Sequence, residues 1–595
     1  MKSKFLSSSL NSVNQKLETV SKARLIVGLL VLVCWFYPVI FSSGMAVLYP
    51  SSILFIIAFV ALVYKSARIR EFKEYLLQRE KMTERRTCQN QTDFKYTPDE
   101  TNRWGQLVAK MNLDKSAHWD DLDLVKAHGL LQAIHTTGNA ESLQSIINLM
   151  RRNPLSKQQI QERQNRVKIL SRGPRRKGLA LLTLNPESSS VNSTHVLLKE
   201  SLVDSQSWVY AVYAYYAILI VCYGLFLIKG ITAFAAVLFG LFFIFPMVNT
   251  KVKIFKTLAW VSGFEAQLNR LQKVKKIVHS YAVKAEKENV PMLQSFLDST
   301  NGVSFESSIQ ELNRIIGAMG LRQNVILYAI VHAFLPWDFY WTARAENLRK
   351  RLEKIYLRWV EDLVEFEAIA LLAEYSSNIT NGVWPVIKDE QATLMGRGLR
   401  HPLIPARYVV SNDVELNTTT RKCLLITGSN MSGKSTFLRT LGINLVLMRL
   451  GAKVHASQLD ASPFQVLTSL KRVDSLEESL STFYSEVKNL KEIRDECISH
   501  TSIYLIDEIF RGTNNRERLI GAQKYIKALL QSPSIGLVTT HDLELSQMDQ
   551  EYSNLVNEHF ADTIENGKMT FDYKKKLGPC PSTNALKVME MEGVF

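Results

Sequence analysis

"LLITGSNMSGKSTFLRT", residues Leu424 to Thr440, decides how this chain is read. An apolar run enters a loop bounded by Gly428 and Gly433, and Lys434, Ser435 and Thr436 open what reads as a helix. The spacing is G-x-x-x-x-G-K-[ST], and its physics is specific for phosphate. Glycines let consecutive backbone N–H groups curl around an anion, and the helix that follows aims the positive end of its dipole at the same charge. On this reading Gly428, Ser429, Asn430, Met431, Ser432, Gly433, Lys434, Ser435 and Thr436 cradle a triphosphate. Lys434 reaches the β- and γ-phosphates and Ser435 offers its hydroxyl to Mg²⁺, so ATP and Mg²⁺ are the expected cofactors. The preceding "KCLLIT" has the character of a buried strand, the context that this loop needs.

Working outward, two more elements carry the complementary chemistry. "SIYLIDEIFRGT" is an apolar strand ending in Asp507 and Glu508. Asp507 is expected to hold Mg²⁺. Glu508 is expected to polarise the attacking water, the general-base role in a phosphoryl transfer dominated by positioning. "IGLVTTHD" is a second strand, ending at His541, whose imidazole would sense the γ-phosphate. An Asp-Glu pair or a lone histidine is common by itself. The ordered set of loop, Asp-Glu and His, each after a strand, is not.

The other end of the chain differs in character. No charged residue occurs from Leu25 to Tyr64, and Lys229 is the one charge between Ser205 and Thr250. Each stretch is about twice the roughly 20 residues that one helix needs to cross a bilayer, so the expectation is four transmembrane helices in two hairpins. Lysine and arginine flank both pairs and are nearly missing from the two turns. That pattern puts the hairpin tips outside and everything else, ATPase and N-terminus included, in the cytosol. The net charge of +16 over 595 residues points to an anionic partner, nucleic acid or lipid, after a discount for residues that set topology. The six scattered cysteines form no C-x-x-C pair, which argues against a zinc site or a disulfide framework and for a reducing compartment.

Between these ends, apolar residues at three- and four-residue spacing predict helices, "AESLQSIINLMRR" and the long "AENLRKRLEKIYLRWVEDLVEFEAIALLAEY" among them. The resulting partition is a cytosolic segment (1–24), a first hairpin (25–64), a helical linker (65–118), a first part of a helical core (119–204), a second hairpin (205–250), a second core or lever part (251–400) and an ATPase domain (401–595). "GPRRKG" (Gly173 to Gly178) is a basic turn, as consistent with a solvated loop as with a nucleic-acid contact.

With these residues laid out, the chain resembles the MutS family of mismatch-repair ATPases, which are related to ABC-type ATPases. "TGSNMSGKSTFLRTLGINLVLMRLGAKVHA" is similar to that family's phosphate loop and following helix, "LSTFYSEVKNL" to its S-T-F-x-x-E segment, and "DEIFRGT" and "TTHDLEL" to its remaining ATPase core. "RHPLIPARYVVSND" resembles the entry to the ATPase domain and "FDYKKKLGPCPSTNAL" its closing strand and loop. Upstream, Thr136 to Leu170 is similar to the start of the family's helical core, including the Arg163-Gln164 pair. The fold implied is an ABC-like, MutS-type α/β P-loop ATPase domain following an all-α core or lever. The resemblance also implies a homodimer with composite sites, in which Ser481 contacts the nucleotide of the other copy, and an aromatic ring, here Tyr408, that stacks on adenine. It further implies DNA as the substrate. Departures accompany it. The N-terminal mismatch-reading domain with its Phe-x-Glu wedge has no counterpart, Phe510 stands where many members have Gly, and His455 stands where many have Pro.

Three functions are compatible with this reading. The first is a membrane-tethered dimer that acts on DNA under ATP control. The second is an ATP-driven machine acting on a membrane partner without mismatch recognition. The third is a slow switch that recruits partners. The intact Glu508 argues for hydrolysis.

Overall fold

The structure, a computed structural model, describes residues 2–41, most of 54–80, 97–113, 118–135, 140–151, 155–172, 305–323, 337–353, 356–388, 392–429, 432–470, 482–510, 514–565 and 568–581, with isolated positions from 87 to 96, from 214 to 261 and at 328 and 331.

Helix α1 (Lys2–Phe41) opens the chain. It packs through Leu10 and Val13 against Ile69 and Leu76 of the helical stretch that follows residue 54. Here the structure corrects the sequence reading. Among the described residues no helix is long and apolar enough to cross a membrane. The uncharged stretch Leu25–Phe41 is the C-terminal part of a helix whose earlier turns carry Lys2, Lys4, Lys16, Glu18, Lys22 and Arg24. At 1.5 Å per residue it makes about 25 Å of helix, short of the roughly 30 Å hydrocarbon core. The expectation of four transmembrane helices is overturned, and with it the location in the cytoplasmic membrane; the membrane as a partner is left without support. The turn of the first expected hairpin and nearly all of the second lie outside the described residues.

The helical core begins with α2 (Pro98–Val108). A capping box starts it: the Thr97 side chain accepts from the Glu100 N–H while the Glu100 carboxylate accepts from the Thr97 N–H. Then come α3 (His118–Asp121), α4 (Leu130–Ile134), α5 (Ala140–Met150), α6 (Lys157–Ser171), α7 (Phe305–Gly320), α8 (Trp337–Glu353) and α9 (Tyr356–Asn378). Helix α5 buries Leu143, Ile146, Ile147 and Met150, one stripe at helical spacing, against α9, which also packs on α6. The long rod expected near residue 345 is described as α8 and α9, with 354–355 outside the described residues.

Beyond the core, the described residues form two sheets. The smaller has the order β1-β5-β2-β3, from β1 (Val386–Ile387), β2 (Thr393–Leu399), β3 (Asn412–Asn417) and β5 (Gln458–Ala461). The larger has the order β10-β9-β4-β8-β7-β6, from β4 (Cys423–Thr427), β6 (Gln465–Ser469), β7 (Ser502–Asp507), β8 (Ile535–Thr540), β9 (Leu555–Glu565) and β10 (Lys568–Leu577). All its pairings are parallel except β9 with β10. Every residue of β4, β7 and β8 is buried, as befits parallel strands covered on both faces. Alternate side chains divide between two cores. Leu424, Ile426, Ile503, Leu505 and Leu537 face α10 (Lys434–Arg449) and the helical core; Cys423, Leu425, Tyr504, Ile506 and Val538 face α11 (Thr482–Ser499) and α12 (Asn515–Gln531). The first core is continuous with the helical core, so the helices and the sheet share one apolar interior.

The Arg163-Gln164 pair makes part of this junction. Arg163 donates to the Leu149 carbonyl (3.3 Å) and to the Arg449 carbonyl at the end of α10 (3.2 Å), where unpaired carbonyls and the negative end of the helix dipole favour a cation. Gln164 donates to the Pro385 carbonyl (2.9 Å). Gly451 lets the two elements meet: its φ is +73°, and a Cβ there would lie 2.7 Å from the Gln164 nitrogen. Gly451→Ala is expected to destabilise the fold by about 2 kcal/mol or more, from left-handed backbone strain plus overpacking. Thermal unfolding measures it, and an unchanged midpoint would contradict this account of the junction.

Candidate functional site

Strand order builds the site. β8 lies between β4 and β7, with Thr427 paired to Thr540 and Asp507 to Thr539, so the three strands end side by side. The segments leaving those ends are the glycine loop, Asp507-Glu508 and His541. This edge, outside the carboxyl ends of parallel strands, is where α/β sheets bind ligands.

The loop turns through glycines with φ of +143° at Gly428 and +108° at Gly433, and Gly433 caps α10. Lys434 is 5% exposed. Its ammonium donates to the carbonyls of Gly428 (2.6 Å) and Ser429 (2.8 Å), at the centre of the loop. The Ser435 hydroxyl donates to Asp507 Oδ2 (2.6 Å), while the Thr539 hydroxyl donates to Asp507 Oδ1. Both carboxylate oxygens are thereby oriented by hydroxyls from neighbouring elements. Glu508 has a φ of +61°, and its N–H donates to the Thr539 carbonyl (3.0 Å). A non-glycine residue held in this region is uncommon, and such strain gathers at functional sites. The conformation presents the Glu508 carboxylate to His541, whose Nδ1 lies 3.0 Å from Oε1. That hydrogen bond, opposed by partial burial and aided by the charges of Glu508 and Asp542, holds the imidazole pKa above its usual value. Stability from this pair is therefore full below the ordinary histidine pKa and is lost as pH rises through the elevated one. Asp542 is itself fixed by Arg518, at 3.0 and 3.1 Å.

A cavity of about 550 Å³ lies against this edge. One end is lined by Ser429, Gly433, Lys434, Ser435, Thr436, Asp507 and Glu508, and the other, more apolar, by Leu399, His401, Ile404, Tyr408 and Val409. The volume is typical of small-molecule sites. Tyr408 stands at the apolar end, largely exposed, with the Arg407 guanidinium 4.9 Å from its ring centre. Burial pushes the His401 pKa down to about 4, so this ring is neutral near pH 7.

The structure thus brings together Gly428, Ser429, Ser432, Gly433, Lys434, Ser435, Thr436, Tyr408, Asp507, Glu508 and His541. Asn430, Met431 and Ser481 lie outside the described residues. Sequence reading missed Tyr573, which also lines the cavity and whose ring would lie 3.2 Å from a Cβ on Gly433. Tyr573 has a φ of +52° within a register shift of β10, and the Asn412 side chain clasps that bulge, donating to the Tyr573 carbonyl (2.9 Å) and accepting from the Lys575 N–H (2.9 Å). Inside the bulge the Asp572 carboxylate accepts from the Lys574 N–H (3.0 Å), an Asx turn marked in the sequence by that single residue. With that one signal the segment was legible only as part of a strand.

The two departures have places here. Phe510, φ +59°, lies between Phe483 and Tyr525 and over Gly521, where a Cβ would come within 2.9 Å of its ring; its N–H donates to Glu486 Oε1 (2.8 Å). It thereby ties the strand end bearing Glu508 to α11, the helix of the S-T-F-x-x-E segment. His455 is buried, with Nε2 3.0 Å from the Tyr375 hydroxyl of α9 and its N–H donating to Asn444 Oδ1 of α10 (2.7 Å). Burial pushes its pKa down to about 3, so the ring that meets α9 is neutral, while the bond to α10 is made by the backbone N–H.

The family model described as "MutS domain V" matches residues 424–594. The chain is 29% identical over 245 residues to a DNA mismatch repair protein MutS of Roseiflexus castenholzii, covering 40% of this chain and 22% of that one. It is 30% identical over 250 residues to the Listeria welshimeri protein of the same name, covering 41% and 28%. A third such protein, from Geobacillus, is 34% identical over 219 residues, covering 35% and 25%. The chain spans about a quarter of the length of these curated relatives.

Proposed function

From membership of the MutS family, carried by residues 424–594, we propose that this chain binds and hydrolyses ATP with Mg²⁺, that two copies close on each other's nucleotide, and that this cycle acts on DNA. The observation that carries the reading is the meeting of Ser435 with Asp507 at 2.6 Å and of Glu508 with His541 at 3.0 Å, on one sheet edge beside the glycine loop.

The residues suit the proposed ligands. A serine hydroxyl and an aspartate carboxylate are the hard oxygen donors that Mg²⁺ takes, with its remaining positions left to phosphate and water. Bound there, the metal supplies charge neutralisation at the β- and γ-phosphate oxygens. The remaining work belongs to the chain. Amides of the 428–433 loop and the N-terminus of α10 bind phosphate, and Lys434 exchanges its loop carbonyls for phosphate oxygens. Thr539 keeps Asp507 in place. Glu508, oriented by His541, takes the proton of the attacking water. Tyr408 stacks on the base at the apolar end, and Ser481, just before α11, reaches the partner copy's nucleotide.

DNA is supported by the names of the relatives and by the net charge of +16. The test is ATP turnover by the full chain as a function of its own concentration, with duplex binding measured across a salt series. Turnover per chain should rise as copies pair, and DNA affinity should fall steeply with salt. Turnover indistinguishable from buffer would defeat the ATPase reading, and no DNA affinity at low salt would defeat the DNA reading.

A further inference from the structure

We propose that Thr92 is a positioning residue for the nucleotide, because its hydrogen bond to Ile404 straps the base end of the cavity. The inference rests on the ATP reading above and concerns control of the same site.

The apolar end of the cavity is carried by the connection between β2 and β3, residues 400–411, which has no regular structure. Its own turns are local: Tyr408 N–H and Val409 N–H both donate to the Pro405 carbonyl (2.8 and 3.2 Å). Its two ends are held from outside, where Asn444 donates to the Arg400 carbonyl (3.1 Å) and Lys574 to the Ser411 carbonyl (2.6 Å). The middle is held by Thr92, whose hydroxyl donates to the carbonyl of Ile404, a residue of the cavity wall. A bond to that carbonyl sets where the Ile404 backbone sits, and through it where His401 and Tyr408 face the cavity.

Two features make Thr92 more than a passing contact. It is 6% exposed, and its φ is +50°. A β-branched residue in the left-handed region is an outlier that persists only when its surroundings impose it. The described residues from Tyr96 onward are firmly held. The Tyr96 ring meets the His128 ring edge-on at 5.1 Å, Thr97 caps α2, and Trp104 Nε1 donates to the Val125 carbonyl (2.8 Å). Residues 118–125 in turn grip the ATPase domain. The Asp121 carboxylate accepts from the Leu470 N–H (3.0 Å), and Arg439 of α10 donates to the Asp121 carbonyl (3.1 Å). The described residues that follow Thr92 are therefore anchored on the same body as the phosphate loop. Loss of the Thr92 bond would reach the base end of the nucleotide and leave the phosphate end alone.

The test uses the full chain with Thr92→Ser, Thr92→Val and Thr92→Gly. Glycine removes the hydroxyl while relieving the backbone, so it guards against a variant that merely misfolds. Binding of ATP and of inorganic tripolyphosphate, both with Mg²⁺, is measured alongside kcat. Valine and glycine should weaken ATP about three- to tenfold, the worth of one net hydrogen bond, while serine behaves as wild type. Tripolyphosphate binding and kcat at saturating ATP should be unchanged in all three. Thr92→Gly with wild-type ATP affinity, or with equal losses of ATP and tripolyphosphate, would overturn the strap. A wild-type chain that binds neither ligand would overturn the ATP reading, and the strap with it.

Discussion

Lys434→Ala abolishes tight ATP binding in the expected result. The ammonium is buried at the centre of the glycine loop, held by the carbonyls of Gly428 and Ser429, and its head has three donors to offer incoming phosphate. A charge-assisted hydrogen bond is worth about 1.5–3 kcal/mol, so loss of two amounts to roughly 3–6 kcal/mol, or at least a hundredfold in affinity. Among the described residues, two cations near the sheet edge have partners elsewhere. Arg518 is engaged with Asp542, and Lys575 with Glu558. Calorimetric titration with Mg²⁺ and ATP measures the loss. Affinity within threefold of wild type would mean that Lys434 is a structural lysine bracing its own loop.

Glu508→Gln is the second large effect, of a different kind. Glutamine keeps the shape and can still accept from His541, but it cannot take a proton. Turnover should fall about 10²- to 10⁴-fold, the usual worth of a positioned general base, while ATP affinity stays within a few fold. ATP should then hold two copies together, seen as a dimer that persists in sizing experiments with ATP and dissociates after its removal. The same variant reports on the pair directly. The His541 imidazole, held high by the carboxylate, should titrate lower in Glu508→Gln, and an NMR titration reads the shift. Unaltered turnover would remove Glu508 from the base role, and an unmoved His541 would show that the two side chains do not interact in solution.

What could be read in advance follows a physical line. The glycine loop, the Asp-Glu pair and the histidine are recorded in contiguous residues, because each is a local device: a loop that turns, or a strand end that exposes a side chain. Buried strands such as "CLLIT" and "SIYLID" announce themselves as unbroken apolar runs. Uncharged stretches at the N-terminal end misled for the same reason. Hydropathy reports composition over a window, whereas crossing a bilayer depends on the length of apolar helix, and Leu25–Phe41 is the tail of a helix that starts polar and basic.

By itself, then, the amino-acid order determined which residues could hold a triphosphate and a metal, since that capacity lies in residue type and short-range spacing. Tertiary structure alone decided that they meet. Insertion of β8 between β4 and β7 places Ser435 on Asp507 and His541 on Glu508. Folding back of distant chain brings Tyr573 over Gly433 and Thr92 to Ile404, and seats Arg163 on the end of α10. Such contacts depend on strand order and on the chain's path through a shared core, and no local spacing encodes either.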